Sequence, residues 1–202
     1  MRRRRYTWLA FLATLVLVSW QAQAAQAATG VPDRSRHCAV GMPAMPATQS
    51  ETGAHLTKPS RISCFGSFAE SVSYATAGRV RLAPDARSVS TRQLQAAGVV
   101  STPAALASQP LVGIEYEDSN YGGDSLVLYG SSGSGCYSGT WYGFPSMSSL
   151  GFDNRISSAR TYSNCLGRHH DGTSYTGSYR YCDGSCSTFG TMNDRTSSIK
   201  FF

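Results

Sequence analysis

The spacing of apolar and polar positions changes three times along the chain, and each change marks a different kind of segment. Residues 8–20, WLAFLATLVLVSW, form an apolar run of 13 residues, shorter than the roughly 20 that a membrane-spanning helix needs. Residues 29–60 are rich in Pro, Ala and Met without any period, which predicts a mobile lead-in. Short helical signals follow. Ser67-Phe-Ala-Glu70 has the spacing of a capping box, in which hydroxyl and carboxylate satisfy the open amides of a helix start. Phe68, Val72 and Ala75 then share one face, and Gly78 closes the helix. Arg79 to Leu82 predicts a short strand before a Pro84-Asp85 turn, and residues 90–97 a second short helix ending at Gly98. From Leu111 the period falls to two. Runs such as Leu111-Val-Gly-Ile-Glu-Tyr116 and Ser125-Leu-Val-Leu-Tyr129 alternate between Gly/Ser/Asn/Asp turns, which predicts an all-β sandwich or barrel.

Arg2 to Arg5 precede the apolar run, and small residues follow it at positions 22–28. That order is a signal peptide over residues 1–28, and it predicts a secreted protein with no membrane association after cleavage. The twin-arginine and general routes both suit it. Charged residues make up only 15% of the 202 positions, against about 25% in an average globular protein. The net charge of +6 divides into +4 from the leader, +4 from residues 29–110 and −2 from residues 111–202. The part that reads as folded is therefore acidic, and nucleic-acid binding loses support. Residues 29–110 have too few large apolar side chains for a core of their own; they read as a linker, a pro-region or an appendage. All six cysteines lie in the exported part, where disulfides are the expected state. Cys182 and Cys186 have no matching Cys or His pair at zinc spacing. Cys38 with Cys64 is the favoured pair because both lie in the N-terminal segment, and the other pairings stay open.

The strongest signal is a duplication. Asp153-Asn-Arg-Ile-Ser-Ser-Ala-Arg-Thr-Tyr162 matches Asn193-Asp-Arg-Thr-Ser-Ser-Ile-Lys-Phe-Phe202 at an offset of 40 residues. Tyr116-Glu-Asp-Ser-Asn-Tyr121-Gly-Gly123 matches His170-Asp-Gly-Thr-Ser-Tyr175-Thr-Gly177 at an offset of 54, so the first copy carries 14 extra residues, placed within residues 131–144. Two four-strand units with one apolar face each must pair to bury it. The prediction is an eight-strand, two-Greek-key sandwich over residues 111–202.

These motifs resemble the microbial βγ-crystallin family: two hairpin signatures, each followed by [Asn/Asp]-[Asn/Asp]-x-x-[Ser/Thr]-Ser. The resemblance covers a little under half the chain and implies calcium binding. Calcium takes six to eight hard oxygen ligands. By resemblance Asn154 and Asp194 would supply side-chain oxygens, Arg155 and Arg195 backbone carbonyls, and Ser157 and Ser197 hydroxyls. Glu117 and Asp171 would complete the sites from the opposite copy. The other reading is that these residues only build turns. Two departures favour it: His170 stands where the first copy has Tyr116, and an arginine follows each Asn/Asp pair.

The chain is also similar to secreted actinobacterial metalloproteinase inhibitors in its export signal, appendage, single two-motif domain and cysteines. The likeness implies a monomer that engages a secreted metalloprotease. Tyr137, Trp141 and Tyr142 in the insertion are hot-spot residue types, open to recognition or to packing inward. His169-His170-Asp171 reads as a solvated hairpin tip, and no hydrolase or phosphate-binding motif is present, so no enzyme is expected. Three functions remain: a calcium-stabilised structural or stress protein, a metalloprotease inhibitor, and a cell-wall glycan binder or toxin-like module.

Overall fold

The predicted hairpin signal at residues 111–130 is realised as β3 (Leu111–Asp118) and β4 (Gly122–Gly130), antiparallel, in a computed structural model that describes residues 36–49, 59–102 and 107–202. The predicted signal peptide, residues 1–28, lies outside the described residues. β5 (Tyr142–Phe144) and β6 (Ser158–Thr161) complete the first copy; β7 (Leu166–His170), β8 (Tyr179–Asp183), β9 (Ser185–Cys186) and β10 (Ser198–Phe201) form the second. The N-terminal segment contributes β1 (His37–Met42), β2 (Ser63–Phe65), α1 (Phe68–Ala75) and α2 (Thr91–Ala96).

The strands form two sheets, ordered β2-β1-β4-β3-β6-β9 and β5-β10-β7-β8. Each copy keeps three strands in one sheet and sends its third, β5 or β9, to the other. The two Greek keys are thereby interlocked, and neither closes without its partner. The backbone repeats as the sequence does. Asn120 and Ser174, Tyr121 and Tyr175, and Gly123 and Gly177 share left-handed φ values at the offset of 54, and Asn154 and Asp194 do so at 40. Between the sheets lies an apolar core that includes Leu126, Phe144, Phe152, Ile156, Ile199 and Phe201.

The extra residues of the first copy fall between β4 and β5, where the second copy has only Gly184 between β8 and β9. Their aromatic rings turn inward. Trp141 and Tyr142 are buried, the Tyr142 hydroxyl donates to the Ser132 carbonyl and accepts from the Gly135 amide, and the Tyr137 hydroxyl donates to the Ser101 carbonyl. Cys136 is bonded to Cys165. The aromatic residues of the insertion are thus used in packing.

The N-terminal segment packs as an appendage. The aperiodic lead-in contains β1, which lies parallel to β4 and antiparallel to β2, with Cys38 opposite Cys64 and bonded to it. All six residues of β1 are buried, and a strand covered on both faces shows no alternation to read. Ser67 caps α1 and a Ser90/Gln93 capping box starts α2; Gly78 and Gly98 follow them with positive φ. Residues 79–82 form no strand; Val80 is buried in irregular chain. Phe68, Val72 and Leu94 cover the outer face of β3 and β4 at Ile114, Tyr116 and Val127. The segment's few apolar residues thus cover a neighbour's surface rather than build a separate core.

Candidate functional site: the two signature loops and the β8 edge

The signature loops meet between the two copies. Asn154 and Asp194 hold φ of 53° and 54°, a left-handed conformation that Asn and Asp tolerate through local hydrogen bonding. Each then donates its amide across the junction, Asn154 to the Thr196 carbonyl at 3.0 Å and Asp194 to the Ile156 carbonyl at 3.1 Å. The side chains cross the same way. Ser157 Oγ donates to Asp194 Oδ1 at 2.8 Å and Ser197 Oγ to Asn154 Oδ1 at 3.4 Å. The Ser157 carbonyl accepts from the Phe189 amide and the Ser197 carbonyl from that of Met147, at 3.0 and 2.9 Å. The loops therefore act as a reciprocal clasp between the Greek keys.

Sequence reasoning missed the second serine of each pair. Ser158 and Ser198 are fully buried; their hydroxyls donate to the Asp118 and Gly172 carbonyls, both at 2.6 Å. They accept from the Tyr121 and Tyr175 amides at 3.0 and 2.9 Å. Each thus ties a folded hairpin to the fourth strand of its own copy. The repeated Ser-Ser was the available signal.

Glu117 and Asp171 do not meet the opposite loop. Each pairs with the arginine of its own copy. Arg155 Nε and Nη2 donate to Glu117 Oε1 at 3.0 and 2.7 Å, and Nη2 donates also to Asp124 Oδ2 at 2.8 Å. Nη1 donates to the Gly151 carbonyl at 2.9 Å, and the guanidinium lies 5.4 Å from the Phe152 ring centroid. The Glu117 hydrogen bond, opposed by partial burial and reinforced by Asp124, raises the Arg155 pKa. In the second copy Arg195 Nη2 donates to Asp171 Oδ2 at 2.8 Å. Asp124, which also accepts the Arg36 amide, carried no sequence signal, because only the hairpin register brings it beside Glu117.

Calcium was tested against this geometry. Oxygen donors of the right type are present, and one buried oxygen, Asp153 Oδ1, has no hydrogen-bond partner. Among the described residues, however, no three His, Cys, Asp or Glu side chains are grouped to hold a metal ion. The carboxylates beside the loops already carry guanidinium charge. As placed, Glu117, Asn154, Arg155, Ser157, Asp171, Asp194, Arg195 and Ser197 do not fit a calcium ion.

His169-His170-Asp171 is not a solvated tip. His169 and His170 are both buried in β7. His169 Nε2 lies 2.9 Å from Glu115 Oε2 on β3, both side chains 0% exposed, so the pair bridges the two sheets. The most exposed aromatic surface lies on β8, the outer strand of its sheet. Tyr179 and Tyr181 are 52% and 44% exposed. A disulfide closes Cys182 to Cys186 around the exposed Asp183, Gly184 and Ser185.

Interlocked Greek keys with folded hairpins are the architecture of a βγ-crystallin domain, and residues 111–202 have that fold. No protein-family model matches the chain, and no curated protein is significantly similar to it. Solved structures similar to it include the N-terminal domain of Protein S, at 16% identity and TM-score 0.37, covering 45% of this chain and 94% of that one. A βγ-crystallin domain from Clostridium beijerinckii is 21% identical with TM-score 0.36, covering 45% and 97%. One from Flavobacterium johnsoniae is 27% identical with TM-score 0.34, covering 45% and 93%.

Proposed function

We propose that this βγ-crystallin-like chain is an exported, non-catalytic monomer that inhibits an extracellular metalloprotease through the edge formed by β8 and the Cys182–Cys186 loop. The observation that carries the reading is the exposed outer strand with its disulfide-closed turn. Extended peptides bind by adding to a strand through main-chain hydrogen bonds, with alternate side chains entering pockets. An outer strand offers those unpaired groups, and Tyr179 and Tyr181 project from one face of it. The disulfide fixes the turn beforehand, which lowers the ordering cost of binding. Asp183 sets an exposed carboxylate, a zinc-ligand type, within that turn. The leader-like residues 1–28 and the pairing of all six cysteines support an oxidising destination.

The test titrates the exported chain, residues 29–202, against a thermolysin-type protease. Inhibition near stoichiometry is expected, weakened at least about tenfold, or 1.4 kcal/mol, in Asp183→Ala and in Cys182→Ser with Cys186→Ser. No inhibition at micromolar protein would overturn the proposal.

A second reading rests on the outer face of the same sheet. Arg168 lies 5.7 Å from the Tyr179 ring centroid and 5.4 Å from that of Phe202, and Lys200 lies 5.3 Å from Phe202. Rings for sugar stacking beside cations suit an anionic cell-wall glycan. Retention on purified cell wall, lost in Phe202→Ala while protease inhibition is unchanged, would select it.

A further inference from the structure

We infer that Arg155 and Arg195 are built-in cations of the two signature loops, each supplying the positive charge that a divalent ion would otherwise bring, so that the clasp between the Greek keys closes without calcium. The same contact occurs twice at equivalent positions. Arg155 and Arg195 are related by the offset of 40, and their acids, Glu117 and Asp171, by the offset of 54. A contact that recurs at both offsets belongs to the repeat rather than to one accidental rotamer.

The chemistry favours arginine for this role. Its planar fork bridges two carboxylates, as Arg155 does between Glu117 and Asp124, and it stays charged at every pH the protein meets. A calcium ion approaching Glu117 would have to break the charge-assisted bonds to both carboxylates, the bond to the Gly151 carbonyl and the contact with Phe152. The two copies differ in degree. The Arg155 side chain is 33% exposed and joins two acids, whereas that of Arg195 is 53% exposed and joins one. The first loop is the more firmly closed, and the second is where an external cation meets less resistance. One of the two departures from the family pattern, the arginine after each Asn/Asp pair, thereby gains a physical explanation.

The experiment melts the exported chain in chelator and in millimolar calcium, beside Arg155→Gln, Arg195→Gln and the double variant, with calcium titrations by calorimetry. The wild-type Tm is expected to be the same in both buffers, with no heat of calcium binding. The double variant is expected to melt about 4 °C or more lower in chelator, to recover most of that in calcium, and to give a binding isotherm. Arg155→Lys, which keeps the charge, should stay indifferent to calcium. A calcium-dependent rise in the wild type would overturn the inference. So would a double variant that is destabilised without responding to calcium, or one that is not destabilised at all. If the double variant fails to fold, Arg195→Gln alone decides between the same outcomes, because that side chain is the more exposed. None of these readouts depends on protease inhibition.

Discussion

Removing one member of the Glu115–His169 pair should be the most damaging single polar change in the described protein. Both side chains are fully buried between the sheets, joined at 2.9 Å, and Glu115 Oε1 and His169 Nδ1 have no other partner. The Phe189 ring lies 4.5 Å from the imidazole, so water has little room to replace a lost partner. Glu115→Ala leaves both imidazole nitrogens unbonded in an apolar core, and His169→Ala leaves a carboxylate there. Breaking a buried pair in this way costs about 3–5 kcal/mol. For a domain of this size each kcal/mol lowers Tm by about 2–4 °C, so each single variant should lose roughly 6–20 °C. Replacing both partners by apolar residues of similar volume is commonly neutral or stabilising. Glu115→Met with His169→Leu should therefore melt far above either single variant. Urea unfolding of the wild type, Glu115→Met, His169→Leu and the double variant, with disulfides intact, closes the cycle, and a coupling of about 3 kcal/mol is expected. If each single variant loses under about 1 kcal/mol and the losses add, the pair contributes nothing specific and the reasoning fails.

Ser158→Ala should destabilise by about 1 kcal/mol or more, because the Asp118 carbonyl and Tyr121 amide both lose a part-buried hydrogen bond to its hydroxyl, and Ser198→Ala should do the same through Gly172 and Tyr175. Hydrogen exchange should show the matching hairpin opening in each variant, and equal protection in both hairpins would contradict the assignment. Alkaline stability should fall as well. Burial, with Arg160 opposing, pushes the Tyr162 hydroxyl up to about 12 and raises that of Tyr116. A hydroxyl whose folded pKa lies above the unfolded value of about 10 keeps its full contribution below pH 10 and loses it as pH rises through the folded value. For Tyr162 that is on the order of 2–3 kcal/mol lost between about pH 10 and 12. Tm measured against pH in Tyr162→Phe should decline less steeply than in the wild type; identical slopes would refute the cause.

Much of this architecture was legible before any coordinates. The offsets of 40 and 54 reappear as paired left-handed residues, because a turn that demands positive φ restricts residue type strongly. The helix cap at Ser67 and the helix over residues 90–97 were readable from local signals as well. What escaped reading depended on register or on distant partners. His169 and His170 look polar in sequence, yet β7 turns His169 toward Glu115 on the other sheet. Arg155 was visible beside its loop, but its target acids come from the hairpin between β3 and β4, placed there by folding alone. β1 lacked alternation because nothing around it is solvent, and the aromatics of the insertion gave no sign of which way they would face.

The pairing of β1 with β4 sets an order in time. His37 lies opposite Ser125, so the strand made first waits for one made 88 residues later. Its local partner, β2, is only 26 residues away through Cys38 and Cys64, and that hairpin can form and oxidise while the rest of the chain is still arriving. Until β4 appears, the other side of β1 is an open strand edge, the kind of surface that invites misassociation. Long-range parallel pairing is slow, so the crosslinked hairpin is expected to persist as an early, waiting structure during folding. The first described strand thus gains its second neighbour only after 88 further residues have been made.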